Sequence, residues 1–321
     1  EESLEYDLLY GLANGMRPEI SDHFHPRGDN YPEVFDLIRR TYETVRQYDP
    51  WCLDAVNRPS IAVVYGSGGS ELRTDVSLKA AVRMLSELKL QFNVVTEKSA
   101  WDQYELLVFP DNVPFSDETA RRVRVHLERG GSVIATGNSG LDPELKGFVI
   151  DSWPVIYLGP TPHNPLYYAP EGPYAEGLPH FPLSVYASGT EVREADGAKT
   201  EIWSVKPYHN HEWDGIHSNW YTPPQEKTNS PFLAFKGRIA YCSGRIFEGY
   251  FKRSPYQTRL LLGNIIRRFM PNPKFRSFTL PSYARAFVQY KGEQELLHVL
   301  VYTPELRGLS VALEERGTLV N

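Results

Sequence analysis

Two short stretches gather the side chains that do chemistry. The first, residues 21–28, reads SDHFHPRG and sets Asp22, His23, His25 and Arg27 side by side. Imidazoles titrate near neutrality and act as acids, bases or ligands. Asp22 and Arg27 add charges of both signs. The second, residues 206–224, carries His209, His211, Trp213, His217, Trp220 and Tyr221, with Glu212 and Asp214 among them. Histidine and carboxylate are suitable zinc ligands, and His209 and His211, two apart, would share one face of a strand. Spacing fixes no third ligand, so neither a metal nor a cofactor is expected. Aromatic faces stack on sugars and anchor interfaces alike. A sugar or subunit contact is therefore expected of the six aromatic and imidazole residues, and a merely structural loop is the plainer alternative. For His23 and His25 the plainer alternative is a hydrogen-bonded surface loop, and His126 and His298 read as structural.

Three further signals are weaker. The turn at 65–70, YGSGGS, lies where a nucleotide fold binds phosphate. It has neither a G-x-G-x-x-G run nor a Walker lysine, so a tight turn needing backbone freedom suffices. Ser139, in the stretch GNSG, lacks the G-x-S-x-G context of a nucleophile elbow. Cys52 and Cys242 lie in no C-x-x-C pair, which argues against a zinc site and a disulfide framework.

Periodicity supplies the elements that must position these groups. The apolar run 8–13 reads as a buried strand, followed by a long loop and a helix from Pro32 with Val34, Leu37, Ile38, Thr41, Tyr42 and Val45 on one face. IAVVY (61–65), FNVVT (92–96), ELLVFPD (105–111) and SVIATG (132–137) read as strands. They alternate with helices from about Asp75 and, capped by Ser116, up to Gly130. Such alternation predicts a parallel sheet with helices on both faces. Residues 151–230 break the rhythm with short strands and loops. FLAF, RIAYCSG and a helix over about 256–270 follow, and the tail from Phe275 reads as β.

Composition bounds the rest. The chain has 321 residues and a formal net charge of −6, so nucleic acid is a poor partner. Apolar residues make up 41% and the mean hydropathy is −0.41, as expected of a soluble globular protein with material for a core. No apolar run approaches the roughly 20 residues of a membrane span, and the first residues do not form a signal peptide. A cytoplasmic location is expected.

Taken together, LANGMRPEISDHFHPRG, SDETARRVRVHLERGGSVIATGNSG, HSNWYTPP and the stretch from IIRRFMPNPKF to HVLVY resemble the C-terminal part of large barrel-type glycoside hydrolases. These are the family 42 β-galactosidases and an α-L-fucosidase-like group, the latter fitting better around SDHFHPRG and HSNWYTPP. The resemblance implies an α/β fold: residues 1–50 as the last βα unit of a (β/α)8 barrel, 51–272 as a flavodoxin-like or class I amidotransferase-like trimerisation domain, and 273–321 as the start of a β-sandwich. It implies that Asp22, His23, His25 and Arg27 line the substrate rim, because residues after a barrel strand face the active site. It also implies that part of the trimerisation domain reaches toward a neighbouring subunit, with a homo-oligomer, favoured as a trimer, and a glycoside as partners. Glycosidases need two facing carboxylates. Asp22 and Glu19 have no evident partner, so no catalytic residue is assigned and the chain alone is expected to be inactive. Two alternatives are a stand-alone carbohydrate- or protein-binding module and an active amidotransferase-type hydrolase. The latter is disfavoured because Gly137 and Asn138 stand where the nucleophilic cysteine belongs.

Overall fold

A computed structural model describes residues 1–21, 26–66, 74–213, 215–216, 221–273 and 280–301. By its contacts the chain divides into two compact units: Glu1–Arg58 with Leu85–Gln91 and Lys274–Asn321, and Pro59–Met84 with Phe92–Pro273.

The first unit opens with α1 (Glu2–Ala13), α2 (Pro32–Arg46), α3 (Asp49–Cys52) and β1 (Val56–Asn57). The strand expected over 8–13 is thus the second half of a helix. Leu8 and Leu12, one turn apart, are buried, and Glu2 and Glu5 sit in the first turn where the helix dipole favours them. A short apolar run fits either structure until its flanks are weighed. Among the described residues of 1–50 the elements are therefore all helical and no strand precedes α2. Leu8, Leu12, Val45 and Cys52 form a small core, with Leu9, Ile20 and Tyr42 packed on it. Thr41 and Val45 are buried as the α2 pattern requires, whereas Val34 is exposed.

The second unit begins with β2 (Ile61–Tyr65), α4 (Val76–Glu87), β3 (Phe92–Thr96), β4 (Leu106–Phe109), α5 (Asp117–Glu128) and β5 (Ser132–Thr136). It continues with β6 (Val155–Pro160), β7 (Tyr167–Tyr168), β8 (Leu183–Ser184), β9 (Thr190–Glu194), β10 (Lys199–Pro207), β11 (Pro224–Lys236), β12 (Ile239–Cys242), α6 (Ile246–Arg253) and α7 (Tyr256–Phe269). Nine strands form one sheet in the order β3-β2-β4-β5-β12-β11-β10-β7-β8. The first five are parallel and the rest pair antiparallel. β6 and β9 form a separate antiparallel pair. The fold is a large mixed sheet in an α/β unit, as the alternation predicted for its parallel half.

Strands β2, β4, β5 and β12 are apolar runs with almost no exposed side chain, as expected where both faces of a parallel sheet are covered. Phe109, Phe115, Trp153 and Tyr241 knit one face of this core with edge-on and tilted ring contacts. Each such fully buried side chain contributes on the order of 2–3 kcal/mol. Ser116 caps α5 by accepting the Thr119 amide at 3.2 Å, as its sequence position predicted.

Back in the first unit, β13 (Arg285–Lys291) and β14 (Gln294–Leu300) form an antiparallel hairpin, with β1 against β13. Buried polar side chains stitch this unit together. The Lys89 ammonium donates to the carbonyls of Pro281 (2.7 Å) and Ala284 (2.9 Å). The Gln91 amide donates to Ala286 O (3.0 Å) and accepts Val288 N–H (3.0 Å), completing the edge of β13. The expected further strand at LSVALEE lies outside the described residues.

Candidate functional site

Among the described residues, the most constrained polar cluster sits at the carboxyl ends of the parallel strands. β2 is followed by a crossover to β3 on one side, and β4 returns on the other, so the β2/β4 boundary is where strand order reverses. Ligands in open α/β sheets bind outside such points. Asp111, just past β4, occupies this position at 1% exposure and with φ of 51°. Its carboxylate accepts the hydroxyls of Thr136 (2.6 Å) and Ser77 (2.9 Å) and the amides of Glu248 (2.6 Å) and Phe247 (3.4 Å). Burial pushes the carboxyl up to about 6, opposed by these donors. A carboxylate has about four acceptor sites, and all four are taken. Asp111 is thus a tie between β4, β5, α4 and the first turn of α6, not a free base.

The elbow after β5 is formed by Gly137, Asn138 and Ser139. Gly137 has φ of 55°, and a Cβ there would lie 2.7 Å from Asp111 O, so no cysteine fits without a shift. Ser139 is fully buried, its Oγ accepting the Val113 amide at 3.1 Å. Both cysteines are free and buried. Burial raises the Cys242 thiol far above its ordinary value, the opposite of what a nucleophile needs.

The second candidate is a cleft of about 1040 Å³ in the same unit. Its walls include Tyr167, Phe181, Tyr186, His211, Tyr221, Phe251 and Arg253. Local polar contacts shape it. The Asn210 side chain accepts Asn164 N–H and donates to Pro162 O, both at 2.9 Å, and His211 N–H donates to Asn164 O at 2.8 Å. These tie the 208–213 loop to the 162–164 turn. Tyr167 Oη donates to Thr222 O at 2.6 Å and anchors the far side of the same segment.

Of the predicted contact residues, His211 and Tyr221 line this cleft. His209 is half-buried with its ring edge-on to Tyr208, and Trp213 is 70% exposed. His217 and Trp220 lie outside the described residues. Residues 208–213 follow β10 as bends, so His209 and His211 do not share a strand face as expected. Among the described residues no three His, Cys, Asp or Glu side chains gather as a metal group would need. Asp22, His23 and His25 also lie outside the described residues. Arg27 is exposed and pairs with Asp29 at 3.0 Å. The segment from which a rim position was inferred for these four is α1, a helix.

Sequence reasoning missed Asp111, Phe181, Tyr186 and Phe251. Asp111 was signalled only by an acidic residue closing an apolar strand. Phe181 and Tyr186 come from a segment with no periodic signal, and Phe251 lies on the exposed side of α6.

No family model matches the chain. One curated protein, the β-galactosidase BbgII of Bifidobacterium bifidum, is 35% identical over 72 residues, 22% of this chain and 10% of that protein. The α-L-fucosidase isoenzyme 2 of Paenibacillus thiaminolyticus superposes with a TM-score of 0.85 at 26% identity, over 95% of this chain and 47% of that one. A catalytic mutant of Gan42B, a family 42 β-galactosidase of G. stearothermophilus, has a TM-score of 0.60 at 14% identity, over 92% of this chain and 44% of that one. Most of this chain is therefore similar to a part of glycoside hydrolases of the α-L-fucosidase and family 42 β-galactosidase kind. It spans under half the length of either of these two enzymes. Among the described residues no helix is long and apolar enough to cross a membrane.

Proposed function

We propose that the chain is the C-terminal, non-catalytic portion of a glycoside hydrolase, supplying a scaffold, an oligomer contact and part of the rim of the sugar site. The observation that carries this reading is the superposition on an α-L-fucosidase over 95% of this chain and less than half of that enzyme. The second unit is the flavodoxin-like or amidotransferase-like trimerisation domain of this reading, and the hairpin of β13 and β14 is the start of its β-sandwich. Asp111, with every acceptor site filled, supports a scaffold rather than a reaction centre. The aromatic stretch over 206–224 is the part offered to a sugar or to a neighbouring subunit in a homo-oligomer, favoured as a trimer.

The test compares this 321-residue chain with a longer protein that carries a barrel ahead of it. Both are assayed on nitrophenyl α-L-fucoside and β-galactoside, and their masses in solution are measured. The reading expects turnover only from the longer protein and self-association of both. Enzymatic turnover by the 321-residue chain alone would overturn it.

A further inference from the structure

The cleft between β7, the 208–213 loop and α6 has a chemical bias that its fold does not require. Phe181, Tyr186, Tyr221 and Phe251 line it while remaining 59%, 49%, 71% and 46% exposed. Single exposed apolar side chains are ordinary, but several gathered at one place mark a surface that binds. They do not form a flat patch; they wall a concavity of about 1040 Å³, near the upper end of small-ligand sites. Tyr186 is held at φ of 59°, a conformation that non-glycine residues adopt at a cost and that concentrates at binding sites.

Charge narrows the ligand class. The chain carries 40 acidic against 34 basic residues, yet among the described residues no acidic side chain lines this cleft, whereas Lys252 and Arg253 do. Lys252 shares its charge with Glu248, Nζ to Oε1 at 2.6 Å, which makes Arg253 the principal cation of the wall. A planar guanidinium matches carboxylate or sulfate in bidentate geometry, and ring faces match the apolar faces of pyranoses. We propose that this cleft binds an anionic saccharide, a sugar bearing a carboxylate or a sulfate, with its rings against Tyr221 and Phe251 and its charge at Arg253. This rests on reading the 206–224 loop as a sugar contact and goes beyond it in naming the ligand class and the residues.

The test is calorimetric titration of the 321-residue chain with trigalacturonate, with a sulfated chondroitin disaccharide, with neutral cellobiose and with inorganic sulfate. The expected result is saturable binding of at least one anionic sugar. That binding should be about tenfold tighter than cellobiose or sulfate and weakened by salt. Tyr221→Ala and Arg253→Gln, both at exposed positions, should each weaken it about tenfold while the far-ultraviolet spectrum stays unchanged. Which anionic arm binds separates a uronate from a sulfate ester. The proposal is overturned by any of three outcomes: no saturable binding of either anionic sugar, equal binding of cellobiose or sulfate, or binding indifferent to both substitutions. Loss of self-association in Tyr221→Ala without any saccharide binding would also overturn it, assigning the cleft to a subunit contact. No glycosidase readout enters, so an inactive parent enzyme would leave this result standing.

Discussion

Thr136 and Asp111 hold each other by two hydrogen bonds: the Thr136 hydroxyl donates to Asp111 Oδ1 at 2.6 Å and accepts the Asp111 amide at 2.7 Å. This pair joins the ends of β4 and β5, and the same carboxylate caps α6 through the amides of Phe247 and Glu248. Replacing it strands two hydroxyls and two amides in a buried place. Asp111→Ala should destabilise the chain by about 2–4 kcal/mol, measured as a shift of the urea midpoint at constant slope. A loss below the error of that measurement would mean that water or rearrangement replaces the carboxylate.

The same group should imprint on the pH dependence of folding. Its folded value of about 6 lies above its ordinary 3.8. Between the two the folded chain keeps a proton that the unfolded chain has released. Raising the pH therefore costs stability from this group: its contribution is greatest below about 4 and is lost as the pH climbs through about 6. The loss is on the order of 3 kcal/mol. Asn cannot ionise, so the stability gap between the parent chain and Asp111→Asn should narrow from pH 4 to pH 7. A gap that widens would show that the four donors outweigh burial.

Lys89 is 1% exposed, and its ammonium lies on the carbonyls of Pro281 and Ala284. Lys89→Met keeps the length of the stem but leaves those carbonyls without this donor. Charge-assisted hydrogen bonds contribute about 1.5–3 kcal/mol each, partly offset by no longer burying the charge. A net destabilisation of about 1–3 kcal/mol is expected in thermal unfolding, with Lys89→Arg intermediate. An unchanged midpoint for Lys89→Met would contradict it.

Gly249, on α6, is set against the chain at Val185, where an added Cβ would come within 1.8 Å of the Val185 carbonyl. No rotamer relieves a clash with backbone, so Gly249→Ala should cost about 3 kcal/mol or abolish folding. Gly147 is the control. Nothing lies within 4 Å of its added Cβ, and Gly147→Ala should be neutral or stabilising by about 0.4–1 kcal/mol through the unfolded chain. Equal effects at the two positions would refute the close approach.

Where local pattern decides structure, and where it does not, follows from the physics of each residue. Val63, Val108 and Ile134 lie in unbroken apolar runs bounded by turn residues, and all three are buried in the parallel half of the sheet. Ser116 announced its helix because an N-cap is a local device. Leu8 to Ala13 misled because six apolar residues carry no period of their own, and only the burial of Leu8 and Leu12 one turn apart decides for a helix. His209 and His211 were placed on a strand by their spacing, yet β10 stops at Pro207, a residue without the amide needed to extend a ladder.

Local pattern alone determined the alternating strands and helices over 61–136 and the helix over 256–269, and the sequence itself clusters aromatics and histidines over 206–224. These depend on neighbours a few residues apart, where periodicity and capping act. The tie at Asp111 draws on Ser77, Thr136, Phe247 and Glu248, up to 137 residues distant, and the cleft assembles Phe181 and Tyr186, Tyr221 and Phe251 from three separate segments. Those meetings are set by strand order and by crossovers that bring distant ends to one edge of the sheet, and only the folded chain decides them.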